Sequence, residues 1–122
     1  MDIESFRNYC LAKKGVTEAF PFDETTLVFK VGSKIFALTD FNYNPFKCNL
    51  KCDPERAIDL REHYKSIIPG WHMNKTHWNT VIADSDIDLK LFFELVDHSY
   101  ELVFNSLKKL EKLAINQLAD EN

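Results

Sequence analysis

The residues best equipped for chemistry in this chain lie in Trp71-His72-Met73-Asn74-Lys75-Thr76-His77-Trp78, which holds both tryptophans and two of the four histidines. Two imidazoles brought together across a hairpin turn are the beginning of a zinc site or of a proton-transfer site. Each needs more. Zinc requires a third protein ligand, and acid–base catalysis requires a nucleophile or a positioned carboxylate. No Asp or Glu lies between Gly70 and Val81. The block therefore predicts no metal and no catalytic group. It predicts structural hydrogen bonds for His72 and His77, and a core position for Trp78 with its indole N–H satisfied at the edge.

A second chemistry is electrostatic. The chain carries a net charge of −4, unevenly distributed: residues 25–83 hold eight Lys/Arg against five Asp/Glu, and residues 84–122 hold four against nine. Lys30, Lys34, Lys47, Asn49, Lys51, Asn74, Lys75 and His77 form the predicted anion-binding set on one sheet face and its turns. Spaced lysines and asparagines suit a phosphate backbone. The arginines are only Arg7, Arg56 and Arg61, and base readout favours the arginine fork. Any DNA binding is thus expected to be weak, salt-sensitive and non-specific. The alternative is a protein- or small-anion-binding module on the same face, with Tyr43, Trp71 and Val28 forming a concavity and Lys51 and His77 as counter-charges.

Enzyme templates find no match. The three glycines, Gly15, Gly32 and Gly70, are far apart, which leaves no glycine-rich phosphate loop. No Ser-His-Asp or Cys-His frame is recognisable. A non-enzymatic protein without cofactor is the expectation. Cys48 and Cys52, placed on one strand, stand about 13 Å apart, too far to share a zinc ion. Three cysteines without a disulfide framework point to a reducing, cytoplasmic compartment.

These groups must be positioned by an α+β scaffold. Asp2 caps a first helix carrying Ile3, Phe6 and Cys10 at helical spacing. Gly15 to Thr25 reads as a loop in which Phe20-Pro21-Phe22 tucks its aromatics against the body. Leu27–Val31 and Lys34–Thr39 form a hairpin about Gly32-Ser33. The next strand alternates cleanly: Phe46, Cys48, Leu50 and Cys52 face the core, and Lys47, Asn49 and Lys51 face water. Asp53-Pro54-Glu55 starts a second helix with Ala57, Leu60 and Tyr64 on its buried stripe, broken by Pro69-Gly70. Strands are then expected near Gly70–Met73 and over His77–Ala83, closed by Asp84-Ser85-Asp86. From Asp88 the pattern is helical, with a kink near Asp97–Ser99 where Ser99 caps a second segment. The helical extension from about residue 109 carries Leu110, Leu113 and Leu118.

The 122 residues, 45% hydrophobic, suffice for one domain with a single core. No apolar run is long enough for a membrane span, and the acidic first helix is unlike a signal peptide. The apolar extension allows a monomer or a weak homodimer through the C-terminal helix.

Several segments together resemble the MmcQ/YjbR-like family. They include Lys14-Gly15-Val16-Thr17-Glu18, Phe20-Pro21-Phe22-Asp23, Asn49-Leu50-Lys51-Cys52-Asp53-Pro54-Glu55, Leu60-Arg61-Glu62-His63-Tyr64, His72-Met73-Asn74-Lys75-Thr76-His77-Trp78-Asn79 and Ser99-Tyr100-Glu101-Leu102-Val103. The similarity spans residues 5 to about 108. It implies a two-layer α+β sandwich: an antiparallel sheet of about five strands with helices on one face, in the order α-β-β-β-α-β-β-α. It also implies a CyaY-like fold, for which double-wing DNA binding has been suggested by fold analogy, an argument that does not fix function.

Overall fold

Asp2 begins the structure as the sequence requires: its carboxylate accepts the Ser5 N–H at 2.8 Å and opens α1 (Ile3–Leu11). The computed structural model describes residues 1–83 and 85–118. Asp84 of the expected closing turn and residues 119–122 lie outside them. The chain continues through β1 (Val16–Ala19), β2 (Thr26–Val31), β3 (Lys34–Asp40) and β4 (Lys47–Lys51) to α2 (Pro54–His63). It then forms β5 (Ile67–Pro69), β6 (Trp78–Ile82), α3 (Leu89–Asn105) and α4 (Lys109–Leu118). The six strands make one antiparallel sheet in the order β1-β2-β3-β4-β6-β5. Gly32 occupies the first central position of the two-residue β2–β3 turn with φ 59°, a backbone conformation open to glycine at little cost.

The sheet has one packed face and one open face. Strand alternation sends Leu27, Phe29, Val31, Cys48, Leu50 and Val81 to the packed side, where they join Phe6, Phe92, Leu95, Val96 and Val103 in the core. Phe6 sits at its centre, 5.5 Å from Phe29, 5.3 Å from Phe46 and 6.1 Å from Phe92. Each buried phenylalanine contributes about 1.5–3 kcal/mol by leaving water. The Tyr9 hydroxyl donates to Asp97 at 2.7 Å, and the Lys13 ammonium joins the same carboxylate, tying α1 to α3.

The α+β two-layer architecture is as expected, with four differences in detail. Residues 16–19, read as loop, form a sixth strand. This is a short edge strand, alternately half-buried and exposed, and too brief to show a period in sequence. The strand expected at Gly70–Met73 is instead β5 at Ile67–Pro69, because His72 adopts φ 60°, which no extended strand tolerates. The helix does not break at Asp97–Ser99. Ser99 is buried inside α3, where its hydroxyl donates to Phe36 O at 2.5 Å and accepts from Lys51 N at 2.8 Å. The β3–β4 ladder ends at Ala37↔Leu50, so this hydroxyl bridges the next rung. The segment instead separates at Ser106-Leu107-Lys108, before α4.

The fourth difference concerns aromatics. Phe20 and Phe22 are not tucked in; both are exposed, with Phe20 stacked on Phe41 at 5.8 Å. Trp78 is not a core anchor. Its register partner is Lys51 on the open face, and it is only partly buried.

Candidate functional site

Strand alternation places Thr26, Leu38, Asp40, Asn49 and Thr80 on the open face, opposite the helices. Leu38 pairs with Val28 and Asn49, and Asn49 pairs with Thr80. Buried polar side chains on such a surface need partners. Asn49 and Thr80 find theirs in the loop between β5 and β6. The Thr80 hydroxyl donates to Asn49 Oδ1 at 2.5 Å and accepts from Trp71 N at 2.9 Å, while Asn49 Nδ2 donates to Trp71 O at 2.8 Å. Both backbone groups of Trp71 are thus bound by side chains of the sheet. These bonds take the place of a strand ladder, and so residue 71 lies over the sheet instead of beside it.

The rest of the loop is fixed from the helix side. Arg61 of α2 donates through Nε to Asn79 Oδ1 at 2.6 Å, and through its guanidinium to Trp78 O and Lys75 O. The Lys75 ammonium donates to Gly70 O at 2.8 Å. Asn74 Oδ1 accepts from Thr76 N and His77 N, closing a side-chain turn.

Trp71 and its neighbours wall a cleft of about 500 Å³ over the sheet, lined by Phe22, Asp23, Thr26, Leu38, Asp40, Tyr43, Asn49, Trp71, His72 and Met73. Tyr43 and Trp71 stand 6.0 Å apart, and His72 stacks on Trp71 at 5.5 Å. Lys47 lies over both rings, 4.8 Å from Tyr43 and 4.5 Å from Trp71. Asp23 and Asp40 belong to the lining as neighbours, each within reach of the Thr26 hydroxyl. Backbone N–H groups of Thr26 and Thr25 hold the Asp23 carboxyl below its ordinary range.

The eight residues of the predicted anion set do not form one surface. Lys30, Lys47, Asn49 and Lys51 share the open face, but Asn49 is buried beneath Trp71. Lys34 reaches Ser106 O and Oγ at the end of α3. Lys75 and Asn74 are engaged within their own loop, and the groove beside them is lined by Pro54, Ile58 and Arg61 of α2. His77 is exposed, yet neither it nor Lys51 lines the aromatic cleft. Tyr43 and Trp71, expected to share a concavity, do meet. Sequence reasoning missed Phe22, Asp23, Thr26, Leu38, Asp40 and Met73 as its lining. The alternation of Leu38 and Asp40 along β3 was the available signal.

The thiols are poor nucleophiles. Burial pushes Cys10 up to about 12 and Cys52 up to about 11, and holds the fully buried Cys48 well above the ordinary thiol value, which disfavours the thiolate.

A protein-family model described as YjbR matches residues 11–102. The chain belongs to the YjbR family. It is 32% identical to the uncharacterised YjbR protein of Escherichia coli K12 over 118 residues, covering 97% of this chain and all of that one. It is 36% identical to YbdF of Escherichia coli O157:H7, covering 89% of each. A Deinococcus radiodurans crystal structure, described as a DUF419 domain, superposes with a TM-score of 0.87 at 41% identity, covering 93% of this chain and 87% of that one. A Pseudomonas syringae structure gives 0.72 at 26% identity, covering 84% and 99%. In this YjbR-family chain the Trp71 loop and the cleft floor both fall inside the matched region.

Proposed function

We propose that this protein is a non-enzymatic binding module whose ligand occupies the aromatic cleft on the open sheet face. The observation that carries this is the use of Asn49 and Thr80. Two buried polar side chains are committed to holding the backbone of a tryptophan whose own surface remains 47% exposed. A purely structural clamp would place the indole in the core. Fixing it over a cleft instead removes the ordering cost that a ligand would otherwise meet. The cleft volume falls in the range of small-molecule sites. The three buried free cysteines fit a cytoplasmic location.

The test is a thermal-shift screen of planar small molecules. A ligand at about 100 times its Kd stabilises the fold by about 2.7 kcal/mol, and Trp71→Ala abolishes that gain. Hits that stabilise the Trp71→Ala variant equally place the ligand elsewhere and sink the proposal.

A second reading, weak non-specific DNA binding, rests on Lys30, Lys47 and Lys51 projecting from one face. Fluorescence anisotropy with duplex DNA at low salt decides it. A Kd above about 100 μM, weaker than ordinary non-specific binding, removes it, as does binding indifferent to Lys47→Glu/Lys51→Glu. The exposed Leu110 and Leu113 of α4 support a weak homodimer, which sedimentation of Leu110→Glu/Leu113→Glu against wild type tests.

A further inference from the structure

Resting on the cleft reading, we propose that the site selects a planar organic cation: a flat ring bearing an ammonium or amidinium group. The walls supply the first part of the argument. Tyr43, Trp71 and His72 contribute aromatic surface to the lining, and Leu38 and Met73 add apolar surface. Ring faces carry negative quadrupole charge and attract cations. The Tyr43–Trp71 pair already does so within the protein, holding the Lys47 ammonium within 5 Å of both ring centres. Lys47 itself is not part of the cleft lining.

The two carboxylates of the lining supply the second part. Asp23 Oδ1 is engaged by the N–H groups of Thr25 and Thr26 at 2.9 and 2.6 Å, and Asp40 Oδ1 by Asn42 N at 2.8 Å. The Oδ2 atoms face the same hydroxyl: Thr26 Oγ1 lies 3.0 Å from Asp23 Oδ2 and 3.3 Å from Asp40 Oδ2. The Thr25 hydroxyl also lies 3.2 Å from Asp40 Oδ2, so two neutral hydroxyls, each with one proton to donate, serve the pair. The ion pairs among the described residues join Arg7 to Glu18, Lys13 to Asp97 and His63 to Asp59, and none reaches Asp23 or Asp40. Among the described residues, two neighbouring carboxylates in the lining of an aromatic cleft are thus joined to no cation by an ion pair. An anion entering the cleft would meet both, whereas a cation would offset their mutual repulsion.

Tryptamine and indole-3-acetate carry the same ring with opposite charge and separate the two possibilities. Titrations followed by amide NMR at low salt should show tryptamine binding at least about tenfold more tightly. Its shifts should centre on Trp71, Leu38 and Asp40. Asp23→Asn/Asp40→Asn should bring the two affinities together while leaving the indole contacts. If that double variant fails to fold, Asp40→Asn alone, which keeps the Asp23 turn, should reduce the preference by about threefold or more. Equal or tighter binding of indole-3-acetate to wild type overturns the charge assignment and leaves the cleft standing. The same holds for a preference that survives the Asn substitutions. Absence of any cleft shift with either compound at millimolar concentration overturns the cleft and the charge assignment together.

Discussion

Asn49 and Thr80 face each other across β4 and β6, joined by a 2.5 Å hydrogen bond, and between them they bind both backbone groups of Trp71. Either side chain alone would leave the other with an unmet group. Their pairing makes the position of the loop a property of the sheet.

That relationship predicts coupling. Asn49→Ala leaves the Trp71 carbonyl without its donor and the Thr80 hydroxyl proton without its acceptor, and should cost about 1–3 kcal/mol. Thr80→Val, which keeps the shape, should cost a similar amount. Because both act through one network, the double variant should fall short of the sum by about 0.5–3 kcal/mol. Urea denaturation of the four proteins measures it, and simple additivity would refute the network.

Arg61 should be irreplaceable by lysine. Its guanidinium reaches Asn79, Trp78 and Lys75 at once, and an ammonium cannot span that fork. Arg61→Lys is expected to raise amide exchange across residues 74–78 while leaving β2 and β3 protected. Hydrogen exchange with NMR detection reads this directly.

Gly70 is a site of close approach. A Cβ there would lie 2.7 Å from Trp78 Cβ and 2.8 Å from Trp78 O, with backbone that cannot move aside freely. Gly70→Ala should destabilise by about 1–3 kcal/mol, as overpacking does, and should disturb the Gly70 N–H bond to Trp78 O. A melting temperature equal to wild type would contradict the geometry.

The two ends of α4 should respond differently. Ile115 is buried, whereas Leu110 is 80% exposed. Ile115→Ala should cost about 2–5 kcal/mol, and Leu110→Ala should stay within about 0.5 kcal/mol. Thermal denaturation of both variants tests whether α4 belongs to the cooperative unit.

Acid should weaken the fold through His98. Its Nε2 accepts the Asp53 N–H at the start of α2. Burial, and then the Arg56 charge, lowers its pKa below the usual 6.5. A base depressed in the folded state contributes stability that is present above its unfolded value and lost as pH falls through its folded value. His63 is raised by the Asp59 carbonyl and carboxylate and acts in the opposite sense. Its contribution is present below the unfolded value and lost as pH rises. Stability of wild type and His98→Gln should therefore diverge below about pH 6.5, with the variant less acid-sensitive. Parallel pH profiles would exclude the imidazole.

Local sequence determined much of this protein. The Asp2 and Asp53 caps, the Gly32-Ser33 turn and the alternation of residues 46–52 are short-range signals. Each is enforced by sterics or by a hydrogen bond within a few residues, and each appears in the structure. The family was legible for the same reason, in the Asn49–Glu55 and His72–Asn79 segments. What tertiary structure decided lies where long-range hydrogen bonds outweighed local pattern. Ser99 has the look of a cap but bridges Phe36 and Lys51, because a small side chain lets α3 approach an open rung of the sheet. Residues 70–73 read as a strand, but the chain leaves the ladder after Gly70, where Asn49 and Thr80 bind the backbone of Trp71 instead. The lysines looked like one patch because alternation gives a face, not a position along it. The folded chain turned Lys34 to the end of α3 and Lys75 to Gly70, and left over the sheet an aromatic cleft whose lining comes from four separate stretches of sequence.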